Sequence, residues 1–296
     1  MLKYLKLICL LSLTIPTFAQ DDLLKMLQDS NKTNKASEPV SATFKGTRVI
    51  SAHTTEMLSR RNLDFRVAHR FGTVGDQNGY HSLFGLDNSS DIRIAFEYGL
   101  TDDITLGFSR SKQLESYEGF IKYRLLKQTT NNKIPVSLGL VVNTVVAGVD
   151  SRYNTEYAKG VHRFSYFYEA IIARKVNSYL SLEILPALLH RNYVNDPADK
   201  NDLFTIGAGG RLRFSRSSAI VADYYYVFSD IRQNSPTYFM PLAIGYEVET
   251  GGHVFSLMFT NAEYIVENNF LPNTSTSWFK NFGFRFSFNI SRIFKI

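Results

Sequence analysis

Cysteine is almost missing from this sequence. Its 296 residues hold one, Cys9, and that residue lies in an apolar stretch, 7–15, close to the amino terminus. The stretch follows Lys3 and Lys6 and precedes Thr17-Phe18-Ala19, a small-x-small exit before Gln20. This is the pattern of a secretory signal peptide, with removal expected after residue 19. The exported chain then has no cysteine, which excludes disulfides and thiol chemistry. It also lacks any apolar run long enough for a membrane helix, which needs about 20 residues. The longest uncharged stretch, 134–149, spans 16 residues and is broken by Pro135, Ser137, Asn143 and Thr144. Charge of one sign is scarce too. The formal net charge of +6 falls to +4 without Lys3 and Lys6, and no Lys/Arg run is present. A nucleic-acid partner is therefore not expected.

What is abundant is Phe, with 23 residues, and Tyr, with 17. Aromatic side chains suit pleated surfaces, and they recur here at period two. In "DIRIAFEYGLTDDITLGFSRS" (91–111), Ile92, Ile94, Phe96, Tyr98 and Leu100 alternate with Arg93, Ala95, Glu97 and Gly99. After "TDD" the alternation resumes with Ile104, Leu106 and Phe108. Such segments are strands with one apolar and one polar face. Twelve are expected: 63–71, 91–100, 103–111, 116–126, 134–147, 161–175, 178–190, 201–215, 218–229, 238–249, 252–262 and 278–291. No helical period competes over a comparable length.

The connections between these strands alternate between tight turns such as "TD", "VN" and "TG" and longer polar loops such as "DSRYNTEYAKG". A soluble sandwich has no reason to gather its tight turns at one end. An outer-membrane barrel has short periplasmic turns, longer external loops and an even strand number. An exported chain that crosses lipid without helices must also close its sheet, because unpaired backbone is too costly there. The fold class expected is all-β, a transmembrane antiparallel up-and-down barrel of about 12 strands in the bacterial outer membrane. Residues 1–19 form the signal peptide, 20–62 a partly flexible periplasmic segment, and 63–296 the barrel.

Residues 42–130 resemble a family of bacterial outer-membrane β-barrels catalogued as a domain of unknown function. The resemblance is carried by "ATFKGTRVIS" (42–51), "HRFG" (69–72), "LFGLDNSSDIRIAFEYGLTDDITLGFSRS" (83–111) and "YEGFIKYRLLKQ" (117–128). It implies a barrel and its location, and it brings no catalytic residues. The aromatic last strand, running to the carboxyl terminus, is similar to the signal that directs barrels to the insertion machinery. Outer-membrane lipid and that machinery are the expected partners.

In a closed barrel the apolar face meets lipid and the charged face lines the interior. The lumen would then receive Arg66, Arg70, Arg93, Lys122, Arg124, Arg163, Lys175, Arg211, Arg213 and Arg285. Opposing them would be Asp64, Glu97, Glu118, Glu169, Glu183, Asp223 and Glu247, giving ten basic against seven acidic groups. Two readings stay open. The charges form a ladder that packs a closed barrel used as a scaffold or docking protein, or they line a narrow channel for small, anionic solutes. Surplus arginines cost too much in a dry interior, and the pair Arg211 and Arg213 suits a carboxylate or phosphate.

Enzyme chemistry finds little footing. His69 would face lipid and Ser109 the lumen, so the two do not converge, and the remaining histidines show no metal-ligand spacing. "NDPADKND" (195–202) lacks the glycine and spacing of a calcium loop. No cofactor and no metal is expected. "ATFKGTRVIS" would make an odd thirteenth strand, so it is expected to dock at the barrel mouth or fold up into it as a plug.

Overall fold

The computed structural model describes residues 38–152 and 156–296. The signal-peptide reading and most of the amino-terminal polar stretch lie outside the described residues. Pro39–Ile296 forms one compact unit. Twelve strands, β1 (Asn62–Thr73), β2 (Ser89–Gly99), β3 (Ile104–Ser111), β4 (Tyr117–Leu126), β5 (Ser137–Val146) and β6 (Phe164–Lys175), then β7 (Leu180–Arg191), β8 (Asp202–Arg213), β9 (Ser218–Phe228), β10 (Leu242–Thr250), β11 (His253–Thr260) and β12 (Arg285–Lys295), pair antiparallel in chain order. The last strand closes on the first, with Asn62 opposite Lys295 and Arg70 opposite Ser287. The sheet thus has no edge, which satisfies the backbone of every strand without water. Among the described residues no helix is long and apolar enough to cross a membrane. The crossing is made by strands.

The side-chain alternation is the one expected. Ile94, Phe96, Phe108, Ile121 and Ile184 are exposed on the outer surface, while Arg93, Glu97, Glu118, Lys122 and Glu183 are buried inside. His69 joins the outer surface, stacked on Phe288 with ring centroids 5.4 Å apart.

Several strand ends differ from the alternation, each for a local reason. The fifth strand begins after Pro135 and the tenth after Pro241, because proline has no N–H to give a ladder. β6 begins at Phe164, since residues Gly160–Arg163 coil into a 3₁₀ turn. β12 starts at Arg285 rather than 278, because residues 261–276 leave the wall and enter the barrel, and 277–284 return over the rim, where Phe279 and Phe282 are exposed. Pro186 sits within β7, and the β6–β7 ladder has no pairing opposite Leu185 and Pro186.

The connections after β2, β6, β8 and β10 are tight and share one end with the longer 127–136 link, the 251–252 turn being the shortest. The long loops after β1, β5, β7, β9 and β11 open at the other end, where only the 112–116 link is short. Each mouth sends a finger of chain inward. From the short-turn end the chain enters beside Thr129, which bridges Pro39, doubles back where Arg48 bridges His53, and returns to β1. From the long-loop end, residues 261–276 carry a short helix, α1 (Glu267–Asn273), whose first six residues are buried.

The two fingers meet different walls. Phe44, Val49 and Ile50 of the first pack on Ala173, Val221, Ala243 and Met258. Phe270 and Leu271 of the second pack on Phe167, Leu185, Leu189 and Tyr225. Burying a side chain of this size contributes about 1.5–3 kcal/mol, so both fingers are held by the apolar side of the lumen. Thr47, Arg48 and Ser51 of the first finger turn towards β1, β2 and β4.

Candidate functional site: the occupied lumen

The first finger carries its polar residues, Thr47, Arg48, Ser51, His53 and Thr54, into the charged half of the barrel, where all are buried. Arg48 lies at the centre. Its Nη1 donates to Glu267 Oε1 at 2.5 Å and to the Ser51 carbonyl at 2.6 Å. Its Nη2 donates to His53 Nε2 at 2.8 Å and lies 3.5 Å from Glu118 Oε1, while Nε is 3.8 Å from Glu97. A guanidinium only donates. His53 Nε2 therefore accepts, which places the ring proton on Nδ1. Phe120 packs edge-on against the His53 ring at 4.8 Å.

His53, Glu118 and Glu267 bring ligand-type atoms within 4.8 Å of one another. The space such a trio could offer a metal ion is taken by the Arg48 guanidinium, which bonds two of the three directly and sits beside the third. The cluster is a receptor for a cationic side chain of the same chain.

The wall residues inferred from alternation divide by partner. Arg93 pairs with Glu118 at 2.5 Å and with Ser109 at 2.8 Å. Arg66 donates to Asp64 at 3.0 Å and to Thr47 of the finger at 2.9 Å. Arg70 donates to Ser51 Oγ at 3.0 Å. Lys122 Nζ donates to the carbonyls of Thr47 and Thr54 at 3.1 and 3.2 Å. Asp223 accepts from the backbone N–H groups of Ser51 and Ala52 at 2.8 and 3.2 Å. Four wall charges thus grip the finger through its backbone and hydroxyls. Glu169 accepts from Tyr225 at 3.2 Å, and Arg211 pairs with Glu247 at 2.8 Å. Arg124 caps the short-turn end, with Nη2 2.6 Å from Asp103. Arg285 donates to Ser90 at 2.6 Å near the other mouth. Arg213 lies half-buried at the short-turn mouth beside Lys175.

Arg163 is a correction. It belongs to the 3₁₀ turn before β6, where it donates to the carbonyls of Ala147 and Val149 and lies 4.7 Å over the Tyr157 ring. Parity fails there because a 3₁₀ turn has three residues per turn, not two. Asp91 is an inward acid that alternation at the start of β2 should have included. It accepts from Ser111 at 2.7 Å and from the Ile265 N–H of the second finger at 3.0 Å. Arg48 and Glu267 carry no strand signal, so only contact in three dimensions reveals them.

The lumen charges are balanced on one side and acidic on the other. Arg66, Arg70, Arg93 and Lys122 stand on β1, β2 and β4 among Asp64, Asp91, Glu97 and Glu118 of the same strands. Glu169 and Glu183 face them from β6 and β7, and neither forms an ion pair among the described residues. Both Glu183 oxygens lack a hydrogen-bond partner, and its carboxylate lies on the bare backbone of Gly209, where a Cβ would come within 2.4 Å of Oε1. Among the described residues both oxygens of Glu97 are likewise without a hydrogen bond, with Arg48 of the finger 3.8 Å from one of them.

At the long-loop end a cavity of about 340 Å³ opens above the second finger, lined by Tyr157, Arg163, Arg191, Tyr193, Asp199 and Asn268 among others. Asp199 is held between Arg191 at 3.0 Å and Arg232 at 2.7 Å. Burial alone would raise its carboxyl, but the Arg232 bond and the Arg191 charge outweigh that and keep it below the usual carboxylate range.

The model of a family described as a membrane bound beta barrel domain (DUF5777) matches residues 44–294. The chain belongs to this family. The match begins inside the first finger, so the DUF5777 domain includes the finger as well as all twelve strands. Solved structures with a similar barrel include the NanC porin, 9% identical with a TM-score of 0.47, covering 79% of this chain and 100% of that one. An outer membrane channel from Pseudomonas putida F1 is 14% identical with a TM-score of 0.47, covering 81% of this chain and 98% of its own. The KdgM porin is 8% identical with a TM-score of 0.45, covering 79% and 99%. No curated protein sequence matches the chain. This member of the DUF5777 family is an outer-membrane β-barrel, in the fold and place that its alternation implied.

Proposed function

We propose that this protein is an outer-membrane channel for small solutes, held shut by the two fingers that enter from its mouths. One observation carries the reading: the wall opposite the apolar half is ionic, and it grips the first finger by exchangeable hydrogen bonds to backbone and hydroxyl groups. A permanently dry core has no use for these charges, since a buried ion pair is often neutral or worse against an apolar packing of the same volume. In a water-filled lumen the same groups cost nothing to keep. Glu183, without a hydrogen-bond or ion-pair partner among the described residues while the finger is in place, would gain hydration when it leaves. The cations of β1, β2 and β4 are matched by acids of the same strands, so the mild preference for negative solutes comes from Lys175 and Arg213 at the short-turn mouth. No covalent chemistry is involved, and the short-turn mouth faces the periplasm on this reading.

The apolar seats of the fingers favour a second reading, a permanently closed barrel serving as scaffold or docking protein. Planar-bilayer conductance of the refolded chain and of a variant lacking residues 20–58 separates the two. A small or rare conductance from the full chain and a large, anion-leaning one from the deletion support the channel. Silence from both sinks it and leaves the closed barrel.

A further inference from the structure

The short-turn mouth carries a second group of cations, distinct from the Arg48 network. A cavity of about 110 Å³ opens there between finger and wall. Lys45 lines it from the finger, Lys175, Arg211 and Arg213 from β6 and β8, and Arg216 from the turn after β8. Two of these charges are met. Lys45 Nζ lies 2.5 Å from Glu249 and Arg211 Nε donates to Glu247 at 2.8 Å. Among the described residues, Lys175 Nζ reaches only the uncharged carbonyl of Ser41, at 2.9 Å. Among the described residues, Arg213 and Arg216 make no side-chain hydrogen bond or ion pair.

Like charges gathered around one cavity repel, and the assembly relaxes when an anion enters it. The volume is enough for several water molecules, which is the scale of a phosphate or carboxylate head. Arginine presents the forked donors that such planar or tetrahedral oxyanions accept. We propose that this cavity binds a small oxyanion, and that the bound anion ties the first finger to the wall at its entrance. The same chemistry could come from a free periplasmic anion or from a phospholipid headgroup at the membrane surface. The inference requires only the placement of the finger against β6–β8, and it holds whether or not the barrel conducts.

The test uses the refolded full chain in non-ionic detergent, titrated with inorganic phosphate against a chloride control of equal ionic strength. Binding is read by calorimetry and by the rate of trypsin cleavage after Lys45. Phosphate should bind saturably and slow the cleavage. Arg213→Gln/Arg216→Gln should weaken binding by about tenfold or more, since each removes charge-assisted donors to the anion. Arg216→Gln alone, at an exposed position, guards against loss of fold and should give a smaller shift, with heat-modifiable gel mobility retained. A second arm uses nanodiscs free of phosphate salts. Protection that arises only with phosphatidylglycerol assigns the site to a headgroup, and protection by added phosphate in phosphatidylcholine assigns it to the free anion. If neither anion protects the native chain, or if protection persists in full in the double variant, the proposal is overturned.

Discussion

Arg48 is the residue whose loss should loosen the lumen most. In Arg48→Met the guanidinium leaves and an unbranched apolar chain of similar reach replaces it. Glu118 keeps Arg93, Ser109 and Asn143 as partners, so its charge stays compensated. Glu267 does not. It loses its 2.5 Å partner, and its other oxygen already lacks one. Removing one member of a buried ion pair costs about 3–5 kcal/mol, because the remaining charge is stranded. That free energy corresponds to a factor from roughly 10² to several times 10³ in the balance between a seated and a released finger. Cleavage after Lys45 by trypsin, and leak current in a planar bilayer, both read this balance. Each should rise steeply in Arg48→Met. The double variant Arg48→Met/Glu267→Gln removes the stranded charge as well and should recover most of the loss. Unchanged protection in the single variant would refute the reasoning, as would a double variant no tighter than the single.

Two further outcomes follow from packing and charge. Gly107→Ala places a Cβ about 2.1 Å from the Phe120 ring. Phe120 must then move off Gly107 and disturb its edge contact with His53, at a cost of about 1–3 kcal/mol for overpacking, read as a lower midpoint of heat-modifiable gel mobility. At the long-loop mouth, the Asp199 carboxyl is held below its ordinary value, so the tie to Arg191 and Arg232 is complete above about pH 4, the unfolded value. It weakens as pH falls through the lower folded value. Hydrogen exchange in residues 192–201 should therefore quicken only under strong acid, whereas Asp199→Asn should exchange faster at neutral pH and show little acid response.

The strands and their faces were legible because a closed sheet between lipid and lumen imposes a strict period of two. Ile92 to Leu100 and their neighbours announce it without ambiguity, and the alternation of short and long connections announces closure. Alternation says nothing where the chain leaves the sheet. Trp278, Phe282 and Phe284 extend the aromatic pattern of the last strand backwards, yet the ladder begins only at Arg285. Arg163 was misplaced by carrying strand parity into a turn. The fingers were legible only in part. "ATFKGTRVIS" stood out as an unplaceable segment, and its odd count pointed towards the mouth or interior. Glu267, more than two hundred residues away in chain order, has no local pattern to betray it, since its role comes from a meeting of two loops that enter at opposite ends.

That meeting has a mechanical consequence. Two obstructions placed one behind the other act in series, so on the proposed reading flow requires both to be withdrawn, and the resting leak scales as the product of two small probabilities. The Arg48–Glu267 contact means the two are not independent. When either finger retreats, the other is left holding a lone buried charge and becomes easier to displace. A signal delivered at one mouth is thereby felt at the other, with a coupling free energy that is the same in both directions.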